Sequence, residues 1–463
     1  MIRQMGALAL TLLLTSAYCF AGGPLLLTGP TALTPGHSFV WSVTAPIRYT
    51  VDTGPLSANA SGQTVISNSQ GLTRVQSLFQ HWQSVPTTSI SFAYAGPISA
   101  SGVSGGDVKT IQDYNTVQGS CSAGTQSPVI FDANGSLIKA LGLDPLVIGF
   151  TSSCKLDKQA GHILSALIVL NGEFQDGVNS NATKNYEISS DQFDEAITHE
   201  MGHFSGLDHS QINLDLFQGE SSNCDIDSLA GLPLMFPILF CQSRKSAGLP
   251  IIAPDDAAWI SKLYPNASYS NNYGAISGFV FFSDGITHVQ GLNVIARRAD
   301  DPATSQDESR RIAVSVVSGF SFTGNPGQSL TGDNTNGSSF GSRNPALIGY
   351  YEIPVPAGTY TVQTENLDSS FTGGSSVGPL DPPAVTYSAQ EFWHHFESAF
   401  DDVGQRDPIT VQAGQNVSNI NFILNQTSPR FDSLEDGEVR LITPQHPFVF
   451  RQSRALRQPK ALA

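Results

Sequence analysis

The sequence predicts an α+β protein, with helices and strands mixed in a first domain and a second domain that is all β. Three observations carry this. A capped helix is written into the stretch from Ser189 to Ser205. The apolar run Ile163-Leu164-Ser165-Ala166-Leu167-Ile168-Val169-Leu170 has the length and β-branched content of a buried or edge strand. From residue 275 onward, strand-like runs recur with turn residues between them. At 463 residues the chain exceeds one ordinary domain, so two or three are expected.

Taken in order, residues 1–21 read as a secretory signal. Arg3 supplies the positive start, Ala7 to Ala17 an apolar stretch, and Cys19 and Ala21 small residues before the cleavage point. The stretch is too short for a comfortable membrane span, and no other segment is longer and as apolar. The expectation is a soluble exported chain, secreted or periplasmic, with residues 22–39 as a lead segment. Removing the signal leaves Cys121, Cys154, Cys224 and Cys241. An even count in an exported chain points to disulfides, and four cysteines allow three pairings. Proximity favours Cys121–Cys154 and Cys224–Cys241, with unpaired buried thiols as the alternative. Charged residues make up only 13% of the chain, and Gly, Ser, Thr and Asn are abundant, which suits loop-rich or β-rich extracellular architecture. A net charge of −16 lacks the basic footprint of nucleic-acid binding. It serves either basic substrates or plain solubility.

The helix is delimited by capping-box spacing between Ser189 and Gln192, with Phe193, Ala196, Ile197 and Met201 as an apolar stripe. Its end carries His199-Glu200-Met201-Gly202-His203-Phe204-Ser205-Gly206-Leu207-Asp208-His209, which reads H-E-x-x-H-x-x-G-x-x-H. Residues four apart share a helical face, so His199 and His203 can point two imidazoles at one ion. Glu200 projects beside them, within reach of a metal-activated water but outside the ligand set. Gly206 tolerates positive φ and stops the helix, and a turn there returns His209 as third ligand. Three protein ligands leave a fourth position open, the catalytic arrangement of Zn2+. The expected cofactor is one Zn2+ ion, which lowers the pKa of its water from about 15.7 towards 7. The expected reaction is peptide hydrolysis with Glu200 as general acid/base and no covalent intermediate. Asp208 is either a partner for a ligand ring or a solvated turn residue.

The full run resembles the metzincin clan of zinc endopeptidases and, within it, the matrixins; Ser210 directly after the third His is a matrixin-like feature. Metzincins carry a methionine turn beneath the metal, and Leu234-Met235-Phe236-Pro237 resembles it, with Met235 as the methionine. Pro46 to Val51 is similar to the matrixin first strand, Val65 to Val85 to its first helix, Ser89 to Tyr94 to its second strand, and Pro254 to Tyr264 to its final helix. The resemblance covers residues 40–266. It implies a metzincin-like catalytic domain, a twisted mixed sheet with an active-site helix, acting on protein or peptide substrates. The chain departs from the family in several places. The spacer from His209 to Met235 is long and contains Cys224, and no cysteine-switch propeptide is visible. Where the family places a second zinc and calcium, this chain offers His162, which reads as a strand-end residue. Asp132-Ala133-Asn134-Gly135 reads as a turn, so Ca2+ has no clear motif.

Residues 267–273 read as a linker. Runs at Ala275 to Phe282, Leu292 to Arg297, Ile312 to Val317, Tyr351 to Pro356, Thr359 to Thr364 and Asn419 to Leu424, with Ala357-Gly358 as a tight turn, predict an antiparallel β-sandwich over 274–425. Ile276 to Val280 and Val355 to Val362 resemble carboxypeptidase-regulatory-like (transthyretin-like) domains. That resemblance implies an accessory module, suited to surface attachment. Gly324 to Ser342 reads as a long loop. In Trp393-His394-His395-Phe396 the adjacent His residues would face opposite sides of a strand and so cannot share an ion. With Glu391 and Glu397 near them, a structural or solvated role outweighs metal binding. Residues 426–463 lack periodicity, and the last thirteen carry four basic residues and no acidic one, which reads as a partly disordered tail. Two other functional classes compete: a catalytically silent metzincin-like adhesion or binding protein, and a zinc hydrolase for non-protein substrates. An intact Glu200 speaks against the first.

Overall fold

The computed structural model describes residues 22–178, 187–214, 226–299, 311–323, 340–367, 390–425 and 450–452. The expected signal, Cys224, residues 324–339 of the expected loop and most of the tail lie outside these. In chain order, the first part holds β1 (Val40–Trp41), β2 (Ile47–Val51), β3 (Ser57–Ala58), β4 (Thr64–Ile66), α1 (Asn68–Gln83) and β5 (Phe92–Pro97). It continues with α2 (Ile111–Ala123), β6 (Pro128–Asp132), α3 (Ser136–Ala140), β7 (Val147–Asp157), β8 (His162–Asn171), α4 (Ser190–Phe204), α5 (Ile226–Gly231), β9 (Ile238–Leu239) and α6 (Pro254–Leu263). The second part holds β10 (Tyr273–Phe281), β11 (Asn293–Arg298), β12 (Ala313–Val317), α7 (Phe320–Thr323), β13 (Tyr350–Pro356) and β14 (Gly358–Glu365). It ends with β15 (Glu391–Phe392), β16 (Ile409–Val411), β17 (Asn416–Val417) and β18 (Phe422–Ile423), and a last strand, β19 (Phe450–Gln452), returns to the first part. The chain is therefore a mixed α+β protein with several sheets.

The main sheet runs β5-β2-β6-β8-β7-β19-β9, with β1 also on β8. Strands β5, β2, β6 and β8 are parallel, and β7 is antiparallel to β8. The apolar run 163–170 is thus an internal strand rather than an edge. From Ala166 onward it is continuously apolar because both its faces are covered there. Ile168 and Leu170 join the core under α1 and α4, while Leu167 and Val169 join a second core with Tyr114, Val117 and Ile138 from α2 and α3. Helix α1 opens with the Ser67–Gln70 capping box and buries Val75, Leu78, Phe79 and Trp82 at helical spacing. Each such side chain contributes about 1.5–3 kcal/mol through burial. Trp82 Nε1 also donates to Thr198 O of α4 at 2.8 Å, which fixes α1 against the helix that carries the motif. A disulfide joins Cys121 of α2 to Cys154 of β7. Cys241 is disulfide-bonded as well; its expected partner, Cys224, lies outside the described residues.

The second part has two facing sheets. One is β12-β11-β14-β15 with β16 on β14, all antiparallel. The other departs from the antiparallel expectation: β10 is antiparallel to β13 but parallel to both β17 and β18. The expected strand Asn419 to Leu424 is correspondingly reduced to Phe422–Ile423. Asn419 takes φ 65° and lies between the two short strands β17 and β18 beside β10. Gly278 permits the close pass, since a Cβ there would lie 1.9 Å from Ile420 O. Ala357-Gly358 is a corner rather than a hairpin turn, because β13 and β14 belong to different sheets. The linker is packed: Asn266 N donates to Thr87 O at 3.1 Å, and the rings of Tyr269 and Tyr273 stack at 5.1 Å. Trp259 Nε1 to Ser315 O (2.8 Å), Ser315 N to Asp255 Oδ1 (2.8 Å) and Lys262 Nζ to Glu352 Oε1 (2.6 Å) bind α6 to the second part. Among the described residues no helix is long and apolar enough to cross a membrane.

The fold buries several carboxyls. Burial raises Asp52, Glu195 and Glu397 to about 7, and Asp255 and Glu391 to about 8. Their unfolded values lie near 4, so the folded state binds their protons more tightly. That stabilisation is complete below the unfolded value and is lost as pH rises through 7 and 8. The depressed imidazoles described below act in the opposite sense only below about pH 6.5. The thermal midpoint of the metal-free protein is therefore expected to fall by several degrees between pH 6.5 and 9 in scanning calorimetry. A flat or rising midpoint would contradict this burial.

Candidate metal centre

Helix α4 starts as expected. Ser189 caps it, with Gln192 N donating to Ser189 Oγ at 3.2 Å and Ser189 N to Gln192 Oε1 at 3.0 Å. Nearly its whole circumference is buried between the main sheet, α1 and the segment after the motif. It ends in a Schellman motif: Gly206 N bonds His203 O at 2.9 Å, Leu207 N bonds Gly202 O at 3.0 Å, and Gly206 takes φ 88°. Two late carbonyls of the helix also find side-chain donors. Trp41 Nε1 reaches Phe204 O at 2.6 Å, and Tyr264 Oη reaches Ser205 O at 2.6 Å. The lead segment clamps the turn that follows, through Leu25 N to Gly206 O (2.7 Å), Asp208 N to Gly23 O (3.1 Å) and Gly22 N to His209 O (2.6 Å).

The turn brings the three predicted ligands together. His199, His203 and His209 are all buried, and each offers a ring nitrogen within 4.8 Å of the others. His199 Nδ1 lies 2.7 Å from Leu234 O, and His203 Nδ1 lies 2.9 Å from Leu207 O. A carbonyl only accepts, so both Nδ1 atoms carry the ring proton and both Nε2 atoms are lone-pair donors. His203 Nε2 and His209 Nε2 stand 3.1 Å apart. Two nitrogens at roughly 2.0–2.1 Å from a tetrahedral Zn2+ would be about 3.3 Å apart. Burial keeps the imidazoles neutral, as metal ligation requires. His203 is lowered to about 4, and His199 and His209 well below the usual histidine value, with neighbouring imidazoles adding to the effect for those two. Neutral imidazoles in this number suit zinc better than calcium or magnesium.

Glu200 is buried between α4 and β7. Its Oε2 accepts from Thr151 Oγ1 at 2.7 Å, and the same hydroxyl lies 3.0 Å from Glu200 O. Gly149 faces it on the same strand; a Cβ there would come within 3.1 Å of Glu200 Cγ. Met235 lies under the helix against Gly202, where a Cβ would sit 2.3 Å from Met235 Sδ and 2.7 Å from the Trp82 ring. The segment expected as the methionine turn is held by two groups, Asp256 and Ser210. Asp256 Oδ2 accepts Leu234 N (2.8 Å) and Ala253 N (2.9 Å), Asp256 Oδ1 accepts Met235 N (3.0 Å), and Ser210 N donates to Met235 O (2.8 Å). Asp256 is buried, with its pKa raised to about 6 by desolvation, and it holds the peptide whose carbonyl orients His199.

The remaining sequence candidates separate. Asp208 is buried rather than solvated and accepts the backbone N–H of His209, so it shapes the turn. The ring partners found for His199 and His203 are carbonyls. His162 begins β8 with Nδ1 3.2 Å from Val40 O and is not one of the clustered histidines. Gly135 N bonds Asp132 O at 3.2 Å, the turn expected there. The adjacent His394 and His395 do point to different partners: His394 Nε2 lies 3.1 Å from Asp401 Oδ2, and His395 Nδ1 lies 2.7 Å from Asp407 Oδ2. His394, Glu397 and Asp401 form a second cluster. There, however, His394 Nδ1 accepts from Phe396 N at 3.1 Å, which puts the ring proton on Nε2, facing Asp401. That tautomer turns a ring N–H rather than a lone pair toward Asp401. Sequence reasoning missed Thr151, Gly149, Gly202 and Asp256. Asp256 showed only as an acid in the first turn of a helix.

In comparison with known proteins, no family model matches the chain, and neither a curated protein nor a solved structure does.

Asp256→Asn replaces one acceptor oxygen with an N–H2 group facing backbone donors. It is expected to lower Zn2+ affinity about 10–100-fold, the usual effect of disturbing a group that orients ligands. Competition with a chromogenic chelator measures it, and an unchanged affinity would remove Asp256 from the centre.

Proposed function

We propose that the chain is an exported zinc endopeptidase of the matrixin-like metzincin type. The observation that supports this best is the convergence of three buried, neutral imidazoles beside the carboxylate of Glu200. His199, His203 and His209 would hold the ion. When bound, Zn2+ supplies a Lewis acid for a water molecule and for the carbonyl of the scissile bond. Glu200, its rotamer fixed by Thr151, accepts the proton of the attacking water as the O–C bond forms. It then delivers that proton to the leaving nitrogen as the C–N bond breaks. Met235 and Gly202 set the depth of the helix under the site. Export is supported by the basic and apolar start of the chain and by the Cys121–Cys154 disulfide, a bond suited to oxidising compartments. The second domain is read as an accessory module, suited to surface attachment.

The test is a peptide-library digest read by mass spectrometry, comparing the parent chain with Glu200→Ala at matched zinc content. Loss of a general acid/base is expected to reduce kcat about 10²–10⁴-fold with zinc retained. Zinc bound without cleavage by either protein would favour the silent binding protein or a non-peptide substrate.

A further inference from the structure

The strand edge that borders Glu200 is already paired. On one side β7 bonds β8; on the other it meets β19, antiparallel, with Phe450 opposite Gly149 and Arg451 opposite Val147. The far side of β19 is parallel to β9, with Arg451 opposite Ile238 and Gln452 opposite Leu239. The two flanking strands stand next to parts of the candidate metal centre. β7 carries Gly149 and Thr151, which touch Glu200, and β9 begins three residues after Met235. β19 also lies against α4. An extended segment between β7 and β9 therefore runs along the row of groups that would perform hydrolysis.

We propose that residues 450–452 of the chain's own tail fill, as a resident competitor, the slot in which the peptidase reading seats an extended substrate. The inference rests on the reading of the centre as a peptidase. The physical case is that of strand addition: backbone bonds to a sheet edge supply affinity for almost any extended sequence. Two flanking strands also set the direction of the guest, antiparallel to one and parallel to the other. An open edge pairs readily with whatever strand is at hand. A segment tethered to the same chain acts at an effective concentration of millimolar order, so a few residues outcompete a dilute peptide. A substrate strand must displace β19, or the tail must be removed.

The experiment uses the full chain loaded with zinc. Arg451→Pro deletes the backbone N–H at the middle of β19 and is poorly tolerated between two strands. A labelled peptide of sequence 446–456 is titrated by fluorescence anisotropy into Glu200→Ala and into Glu200→Ala/Arg451→Pro. Thermal midpoint and zinc content are checked in both. The expected result is at least about tenfold tighter binding by the double variant. In the Glu200 background, Arg451→Pro should lower KM for library peptides with little change in kcat. Equal affinity in the two proteins, or no binding by either, overturns the inference. The peptidase reading fails separately: zinc-loaded protein that binds the peptide in a residue-451-dependent way but cleaves nothing would remove that reading and leave the strand assignment standing. Cleavage with the same KM in parent and Arg451→Pro would do the reverse.

Discussion

The candidate metal centre depends on one buried carboxylate. Asp256 accepts the N–H groups of Leu234, Met235 and Ala253, so it holds the methionine turn to the start of α6. The Leu234 carbonyl held in this way orients His199, and the Met235 carbonyl is bonded by Ser210, next to the third ligand. One side chain thus couples two of the three imidazoles to a helix outside the motif. Desolvation raises its pKa to about 6, and the three backbone donors offset part of that cost. A carboxylate buried on backbone N–H groups is expensive if any donor is removed, which makes the turn rigid.

The second part of the chain contributes to the same constraint. β12 packs on α6, and Ser315 meets Asp255, Trp259 and Ser210. Asp255 and Asp256 are neighbours, so the helix N-terminus faces the second part with one carboxyl and the methionine turn with the other. The lead segment adds a third tie by clamping residues 206–209 from Gly22 to Leu25. The linker is bonded to the first part, with Ser268 Oγ donating to Pro86 O at 3.3 Å, rather than hanging between two bodies.

Legibility differed by element. Helix α4 was readable to within a residue because its cap, its stripe and its Gly206 stop are all local. Helix α6, with Pro254 at its first position, was similarly plain, and most strands of the second part fell within two residues of the apolar runs that announced them. The runs did not tell which sheet each strand would join. Strand pairing is decided by partners far along the chain, so the corner at Ala357 and the parallel pairs of β10 were not visible. β6 was missed because a short segment buried on both faces has no amphipathic period to read, and α2 because only Tyr114, Val117 and Cys121 of it are buried.

The sequence by itself determined the candidate ligand set, the proposed base and the place where the helix must stop. Each follows from fixed offsets along eleven residues, and helical geometry converts those offsets into positions. Only the tertiary structure decided which nitrogen each ring presents. The carbonyl that sets His199 comes from Leu234, 35 residues away, and the carboxylate behind it from 22 residues further on. It also decided that His394 faces Asp401 and that the strand at 450–452 lies against β7. Contacts of that separation are set by packing and by the pairing of buried backbone groups, and no local spacing encodes them.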